Sequence, residues 1–345
     1  MNIRTKIFLL VGLGATGIGM FTGWRWLTTI EAIEWGVLVD IDSTSNQAQL
    51  AMDPTDSIAS GIPAELADSI QWVSAEEYTQ DYCSNIREPV MYFRSKVPLS
   101  LGVKVQFPGG NPTVSFPTAI RNRDSLAWNL DLCPFFHAPF DSFAGKLIHM
   151  HDPASTPIKV GEVTSSFLFY KGRLPKPPRL EMWSQPVNLI DTFELGVHNP
   201  SPFDLHDVCV VSRCHPSAPL VSACFDHILP GQTLTAIGGN PRRFLDRLLK
   251  QGLPEIQARS MDHFWGSQIE QTEGHRALTS WSYRVPQEAL DSILPVTFSR
   301  SNVRLRRWIY VYHLRMARVT RCVPKCPDPE CYGLLRDRKS LRGRR

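Results

Sequence analysis

The sequence predicts a mainly β protein: two β-sandwich-like units with a two-helix insertion at about 240–270, after an N-terminal transmembrane or signal helix. Three observations carry this. Apolar and polar residues alternate strictly in several runs beyond residue 98. The 345 residues include 22 glycines and 27 prolines, which favours short elements joined by turns. Residues 7–24 form an apolar run without a charge. The apolar fraction of 43% excludes a disordered chain, and no collagen, heptad or short-repeat period is present.

The N-terminus comes first. Arg4 and Lys6 precede IFLLVGLGATGIGMFTGW, and Arg25 closes it. As a helix this run is roughly 27 Å long, enough to cross a hydrocarbon core. Positive charge before it, with Glu31 and Glu34 after it, predicts that the body is translocated. A cleaved signal is the competing reading, with Ala15-Thr16-Gly17 as the small-residue cleavage site. Ala15, Gly19 and Gly23 share one helical face, where two anchors can pack closely. The same run contains GxGxxG (Gly12 to Gly17), and VLVDID (Val37 to Asp42) resembles a second strand ending in an acid. A dinucleotide fold needs βαβ units to continue, and the polar, turn-rich sequence after Asp42 does not supply them. No cofactor is expected.

Residues 31–87 read as a polar connecting region. A first β unit spans 88–155. In it Leu99, Leu101, Val103, Val105 and Phe107 alternate with polar residues before the turn PGGNP, and Leu126, Trp128, Leu130 and Leu132 alternate likewise. A second unit spans 160–315. It carries FLFY at 167–170 and the runs Leu189–Val197, Leu205–Val211, Val221–Phe225 and Arg276–Val285. RLPKPPRL (173–180) reads as a stiff connector between strands. The insertion opens with Asn240 as N-cap and Pro241 at the first helical position, and Gly252 stops the first helix. A second helix starts at Pro254 and carries Ala258, Met261 and Trp265 at helical spacing, a packing stripe.

REPVMYFRS (87–95), LGVKVQFPGG, FLFYKG (167–172) and the block LPEIQARSMDHFWG…LPVTFS (253–299) resemble an uncharacterised family of bacterial envelope proteins. Its members share an N-terminal membrane or export segment, an ETPVxYFY strand, a VxVxFPxG strand-turn, an FYRG strand and a late Met- and Trp-containing block. The likeness covers about residues 85–312, with every motif degenerate. Where the family carries Trp-Tyr-Pro after the FPxG turn, this chain has Val114-Ser115-Phe116-Pro117. The resemblance implies an envelope location and a β-rich fold, and it brings no catalytic residue with it.

Candidate chemistry is sparse. No GxSxG, HExxH, P-loop or kinase-type signature occurs. His149 and His151, with Asp152 next to them, are the most ligand-like group: in an extended segment both rings face one way, as a metal requires. Beyond a membrane the eight cysteines can pair. Cys209, Cys214 and Cys224 flank an expected hairpin, with Cys209 and Cys214 on opposite strand faces; Cys322, Cys326 and Cys331 lie in a proline-rich tail. Residues 300–345 carry a net charge of +11 and the rest −7. The tail 316–345 ends in Arg336, Arg338, Lys339, Arg342, Arg344 and Arg345. Beyond the inner membrane such a tail suits acidic polymer, anionic lipid or another envelope protein better than nucleic acid.

The expectation is therefore a single-pass inner-membrane protein whose C-terminal body lies in the periplasm, a non-catalytic binding or structural module with the membrane as partner. Secretion after signal cleavage is the alternative location. An envelope hydrolase whose site assembles only in space, around a His-held metal, is the alternative function. A cytoplasmic basic-tailed protein is the third reading.

Overall fold

The structure, a computed structural model, describes residues 29–41, 71–72, 84–135, 150–175, 177–186, 193–213, 220–270 and 278–316. The first stretch of strands comprises β1 (Ile30–Ile41), β2 (Gln71–Trp72), β3 (Ser84–Arg94), β4 (Leu99–Gln106), β5 (Asn111–Phe116), β6 (Ile120–Asn122) and β7 (Ser125–Leu132). After these come β8 (Ile158–Val160), β9 (Val163–Ser165), β10 (Leu168–Leu174), β11 (Glu181–Pro186), β12 (Phe193–His198), β13 (Leu205–Arg213), β14 (Val221–Ile228) and β15 (Thr233–Ile237). Helices α1 (Phe244–Lys250) and α2 (Glu255–Ile269) precede β16 (Leu278–Arg284), and α3 (Gln287–Ile293), β17 (Val296–Phe298) and β18 (Val303–Met316) complete the chain of elements. The fold is mainly β and sandwich-like.

A nine-stranded sheet of order β14-β13-β16-β18-β1-β3-β10-β5-β2 is the middle layer. On one face lie a sheet of order β17-β4-β7-β8-β9, with β6 on β7, and a three-stranded sheet β11-β12-β15. That interface buries Met91, Phe93, Leu168 and Tyr170 against Val103, Val105, Trp128 and Leu130, and continues to Leu195 and Val197. On the other face α1 and α2 bring Phe244, Leu248, Met261 and Trp265 against Trp35, Tyr92, Trp308 and Tyr310. Each large apolar side chain buried this way contributes about 1.5–3 kcal/mol. Both faces of the long sheet are covered, so central strands such as β1 and β3 carry apolar residues on both sides.

The two expected units thus share one continuous sheet. β3, β5 and β10 stand beside β1, β18 and β16 in it, and β8 at the expected boundary pairs with β7. Residues 31–87 are not all a polar connector: β1 is a central strand, parallel to β18 from Ile30 opposite Val303 to Ile41 opposite Leu314. Its odd positions Ile33, Trp35, Val37 and Val39 meet the helices, while Ile30, Ala32 and Leu38 meet the smaller sheets. Apolar residues on both faces remove the alternation that reveals a half-buried strand.

Local chemistry sets two close approaches. The β1–β3 register shifts between Trp35 and Val37, where Pro89 has no N–H to give the ladder. A Cβ on Gly36 would stand 2.8 Å from the Pro89 Cα, so the strands meet there only through glycine. In the turn after β4, Gly109 has φ +68° and a Cβ on Gly110 would fall 1.9 Å from the Arg173 carbonyl oxygen. The first inserted helix begins at Phe244, with Arg243 extended at the cap (ψ 136°), rather than at Pro241. It ends before Gly252, whose φ is +76°. The second runs from Glu255 behind Pro254 and buries Ala258, Met261 and Trp265. Among the described residues, no helix is long and apolar enough to cross a membrane; the run 7–24 lies outside them.

Candidate functional site: a cleft at the end of β16

β16 ends at Arg284 while β18 continues, and Pro286 turns the chain into α3. The segment leading into β13 faces this corner. Between them lies a half-open cleft of about 610 Å3, lined by Pro202, Phe203, Asp204 and His206 from one segment, by Arg284 to Glu288 from the corner, and by Arg307 of β18. The volume is of the order that small-molecule sites occupy.

Two buried polar networks flank it, one on each face of the long sheet. Glu34 and Arg307 are directly opposite in the parallel β1–β18 register and both fully buried. Arg307 Nε donates to Glu34 Oε2 at 2.5 Å, and its Nη1 donates to the Leu294 carbonyl at 2.9 Å. Tyr170 donates its hydroxyl to the other Glu34 oxygen. Burial, then the Glu34 charge, raises the Tyr170 pKa well above the ordinary phenol value, so it stays a neutral donor. Burial by itself would lower the Arg307 pKa; Glu34, together with Tyr170 and Asp291, outweighs that and raises it. Arg307 Nη2 is buried and has no hydrogen-bond partner among the described residues.

On the helix face, Asp207 takes a left-handed conformation (φ 50°) where the β13–β16 register shifts. Its carboxylate accepts from Arg247 Nε (3.1 Å) and from the Tyr310 hydroxyl (2.7 Å), and Arg247 also donates to Ser282 Oγ at 3.1 Å. This cluster ties α1 to β13, β16 and β18. Burial and the Asp207 charge raise the Tyr310 pKa as well. Arg284 stands between the networks. It donates to the Arg307 carbonyl at 3.0 Å and to Gln251 Oε1 at 3.3 Å, and its guanidinium lies 5.2 Å above the Trp308 ring. Partial burial lowers its pKa, although it stays a cation. Across the cleft, Asp204 Oδ2 is 3.8 Å from His206 Nε2, and Asp204 Oδ1 is buried without a partner among the described residues. The arrangement can bind and orient a polar molecule. The Arg284 guanidinium is fixed from behind, and the walls include Phe203, Val285 and Pro286.

The sequence-predicted sites fall elsewhere. His149 lies outside the described residues. His151 is partly buried, and burial lowers its pKa against the opposing effect of Asp152. Asp152 is occupied: it accepts from Gln257 Nε2 at 2.8 Å, from Arg94 Nη2 at 3.3 Å and from the Ala154 N–H at 2.9 Å. Among the described residues no three of His, Cys, Asp and Glu converge as metal ligands. Cys209 and Cys224, opposite each other in β13 and β14, are joined by a disulfide, and Cys133 is a free thiol. Cys214, Cys322, Cys326 and Cys331, the packing face Ala15, Gly19 and Gly23, and the tail residues Arg336, Arg338, Lys339, Arg342, Arg344 and Arg345 lie outside the described residues. Part of the C-terminal positive charge is not tail at all. Arg304, Arg306, Arg307 and Arg315 belong to β18.

The cleft residues Asp204, Arg284 and Arg307 carry no motif. The available signals were Glu31 and Glu34 within IEAIEWGVLV and Arg304, Arg306 and Arg307 at the start of VRLRRWIYVY. Glu34 and Arg307 are the members of these groups that abut the most apolar part of each run, which otherwise belongs in a core.

No protein-family model matches the chain. No curated protein matches its sequence. Among solved structures, the yeast delta-COP-I mu-homology domain complexed with a Dsl1 WxWxV peptide aligns at 9% identity over 83% of this chain and 95% of that one, with a TM-score of 0.29. A Bacteroides uniformis β-glucuronidase aligns at 9% identity over 67% of this chain and 26% of that one, with a TM-score of 0.17. The class of protein is therefore defined by its own fold and cleft: a layered, mainly β protein with a polar cleft at the end of a central strand.

Proposed function

We propose that this chain is a non-catalytic ligand-binding protein of the bacterial envelope. In this reading residues 7–24 anchor it in the inner membrane and its body lies in the periplasm. The observation that carries the binding role is the cleft. Its partly exposed arginine, Arg284, is pre-positioned by Gln251 and a backbone carbonyl, which lowers the ordering cost a ligand meets, while the fully buried Glu34–Arg307 pair holds the strand beneath it. The buried carboxylates Glu34, Asp207 and Asp152 are each engaged by an arginine, the role of structural anchors rather than of a free acid or base. The location rests on the uncharged N-terminal run, on the resemblance to envelope proteins, and on the Cys209–Cys224 bond, which is favoured in oxidising compartments.

Native mass spectrometry tests the function. The full-length protein in detergent is exposed to a small-molecule extract of the cell envelope, and the same is done for Arg284→Glu. A bound mass on the wild type that the variant lacks, released chemically unchanged, is the expected result. Equal retention by both proteins removes the cleft as the site, and release of an altered mass favours the hydrolase.

A further inference from the structure

We propose a second binding site, a platform for a neutral sugar ring on the outer face of the β11-β12-β15 sheet. The inner face of this sheet is committed to the core, where Met182, Leu195, Val197, Leu234 and Ala236 pack. Side chains alternate along a strand, so the residues between these face outward. In the register, Trp183, Gly196 and Thr235 form one outward row, and Glu181, His198 and Thr233 form the next. Trp35, Trp128, Trp265, Trp281 and Trp308 are buried, whereas Trp183 lies half-buried on this wet face. A Cβ on Gly196 would fall 2.1 Å from Cε2, the ring-fusion carbon of Trp183, nearer than to Cζ2 (2.2 Å) or Nε1 (2.5 Å) on either side of it. The indole therefore lies with one face across the glycine and turns the other outward. Among the described residues no second ring and no cation covers that outer face.

A flat indole with a polar border matches a pyranose. The C–H groups on one face of the sugar pack on the ring, and its hydroxyls lie around the edge, where they need donors and acceptors. The border supplies both. His198 Nδ1 is held 3.0 Å from Thr233 Oγ1, Thr235 adds an exposed hydroxyl, and Glu181 adds an exposed carboxylate. Glu194 lies on the same face, two residues from His198 in β12. Two carboxylates there repel an anionic sugar, so the preferred ring is uncharged. A single indole is not the aromatic cage that holds a quaternary ammonium ion. Three strands about 4.8 Å apart, with outward side chains every ~7 Å along each, give a flat area suited to one or two rings. The platform shares no residue with the cleft, so neither reading depends on the other.

Titration calorimetry tests this on the full-length protein in a detergent without a sugar headgroup. The probes are hexasaccharides of glucose and of N-acetylglucosamine, a hexamer of galacturonic acid, and choline. At least one neutral hexasaccharide binds, and the galacturonate hexamer binds at least tenfold more weakly. Trp183→Ala weakens the neutral sugar at least tenfold, while Trp183→Tyr, which keeps a flat ring, stays within about threefold of wild type. Thr235→Arg, at an exposed position beside the indole, obstructs the platform and weakens binding at least tenfold with circular dichroism unchanged. That variant reads the site even if loss of the indole disturbs the sheet. Trp183-dependent binding of choline without binding of sugar overturns the ligand class. No binding of either neutral hexasaccharide, or binding that survives both Trp183→Ala and Thr235→Arg, overturns the platform.

Discussion

Arg307→Met removes one partner of a fully buried ion pair and provides the most informative perturbation of this structure. Glu34 would keep the Tyr170 hydroxyl as a donor but lose the guanidinium that neutralises it, and the Leu294 carbonyl would lose its donor. Breaking a buried pair from one side costs about 3–5 kcal/mol, against about 0–1 kcal/mol for an exposed pair. Glu34→Gln strands the guanidinium instead and falls in the same range. The double variant leaves no uncompensated charge, so the two losses do not add. A coupling energy of about 2–3 kcal/mol is expected, towards the top of the usual span for contacting residues. Urea unfolding at pH 7, followed by tryptophan fluorescence, reads all four proteins, and unchanged slopes would license the comparison. Single losses below about 1 kcal/mol, or additive losses, would refute the claim that an ionised pair anchors the cleft's inner arginine. A neutral Glu34→Gln would refute it most directly.

Three further outcomes follow from the same contacts. Tyr92, Tyr170 and Tyr310 are buried with raised pKa values. Their contribution is complete below the unfolded-state value of about 10 and is lost as pH rises through the folded-state values. Phenolate absorbance should therefore show a late group of tyrosines that ionises together with loss of near-ultraviolet circular dichroism; ionisation of every tyrosine in intact protein would contradict this. Reducing Cys209–Cys224, which are 15 residues apart, should lower stability by about 3 kcal/mol in a denaturation curve. Gly110→Ala should cost more than Gly109→Ala. The first drives a methyl into the Arg173 carbonyl, whereas the second meets only the left-handed penalty of about 1–2 kcal/mol, and melting temperatures will rank them.

Much of the fold was legible wherever one face of a strand is wet. β4 and β7 alternate because their outer faces meet solvent, and the spacing of Ala258, Met261 and Trp265 marks α2 because only one side of that helix is buried. β1 and β18 were obscured by the opposite circumstance. Covered on both faces, they show continuous apolar runs, and their parallel pairing joins residues more than 270 positions apart. α3 is too short to show a period. The cleft was not legible at all. Asp204, Arg284 and Arg307 are separated in sequence and come together only because β16 stops before β18 does. The His149/His151 pair drew attention through local spacing, yet the neighbouring Asp152 is taken up by Arg94 and Gln257, groups no local pattern could reveal.

Hydrogen–deuterium exchange on the full-length protein, with and without the small molecule it retains from envelope extract, tests the account at its centre. Protection confined to residues 202–206 and 284–288, and absent in Arg284→Glu, is the result predicted. Protection elsewhere, with those two segments unchanged, would contradict it.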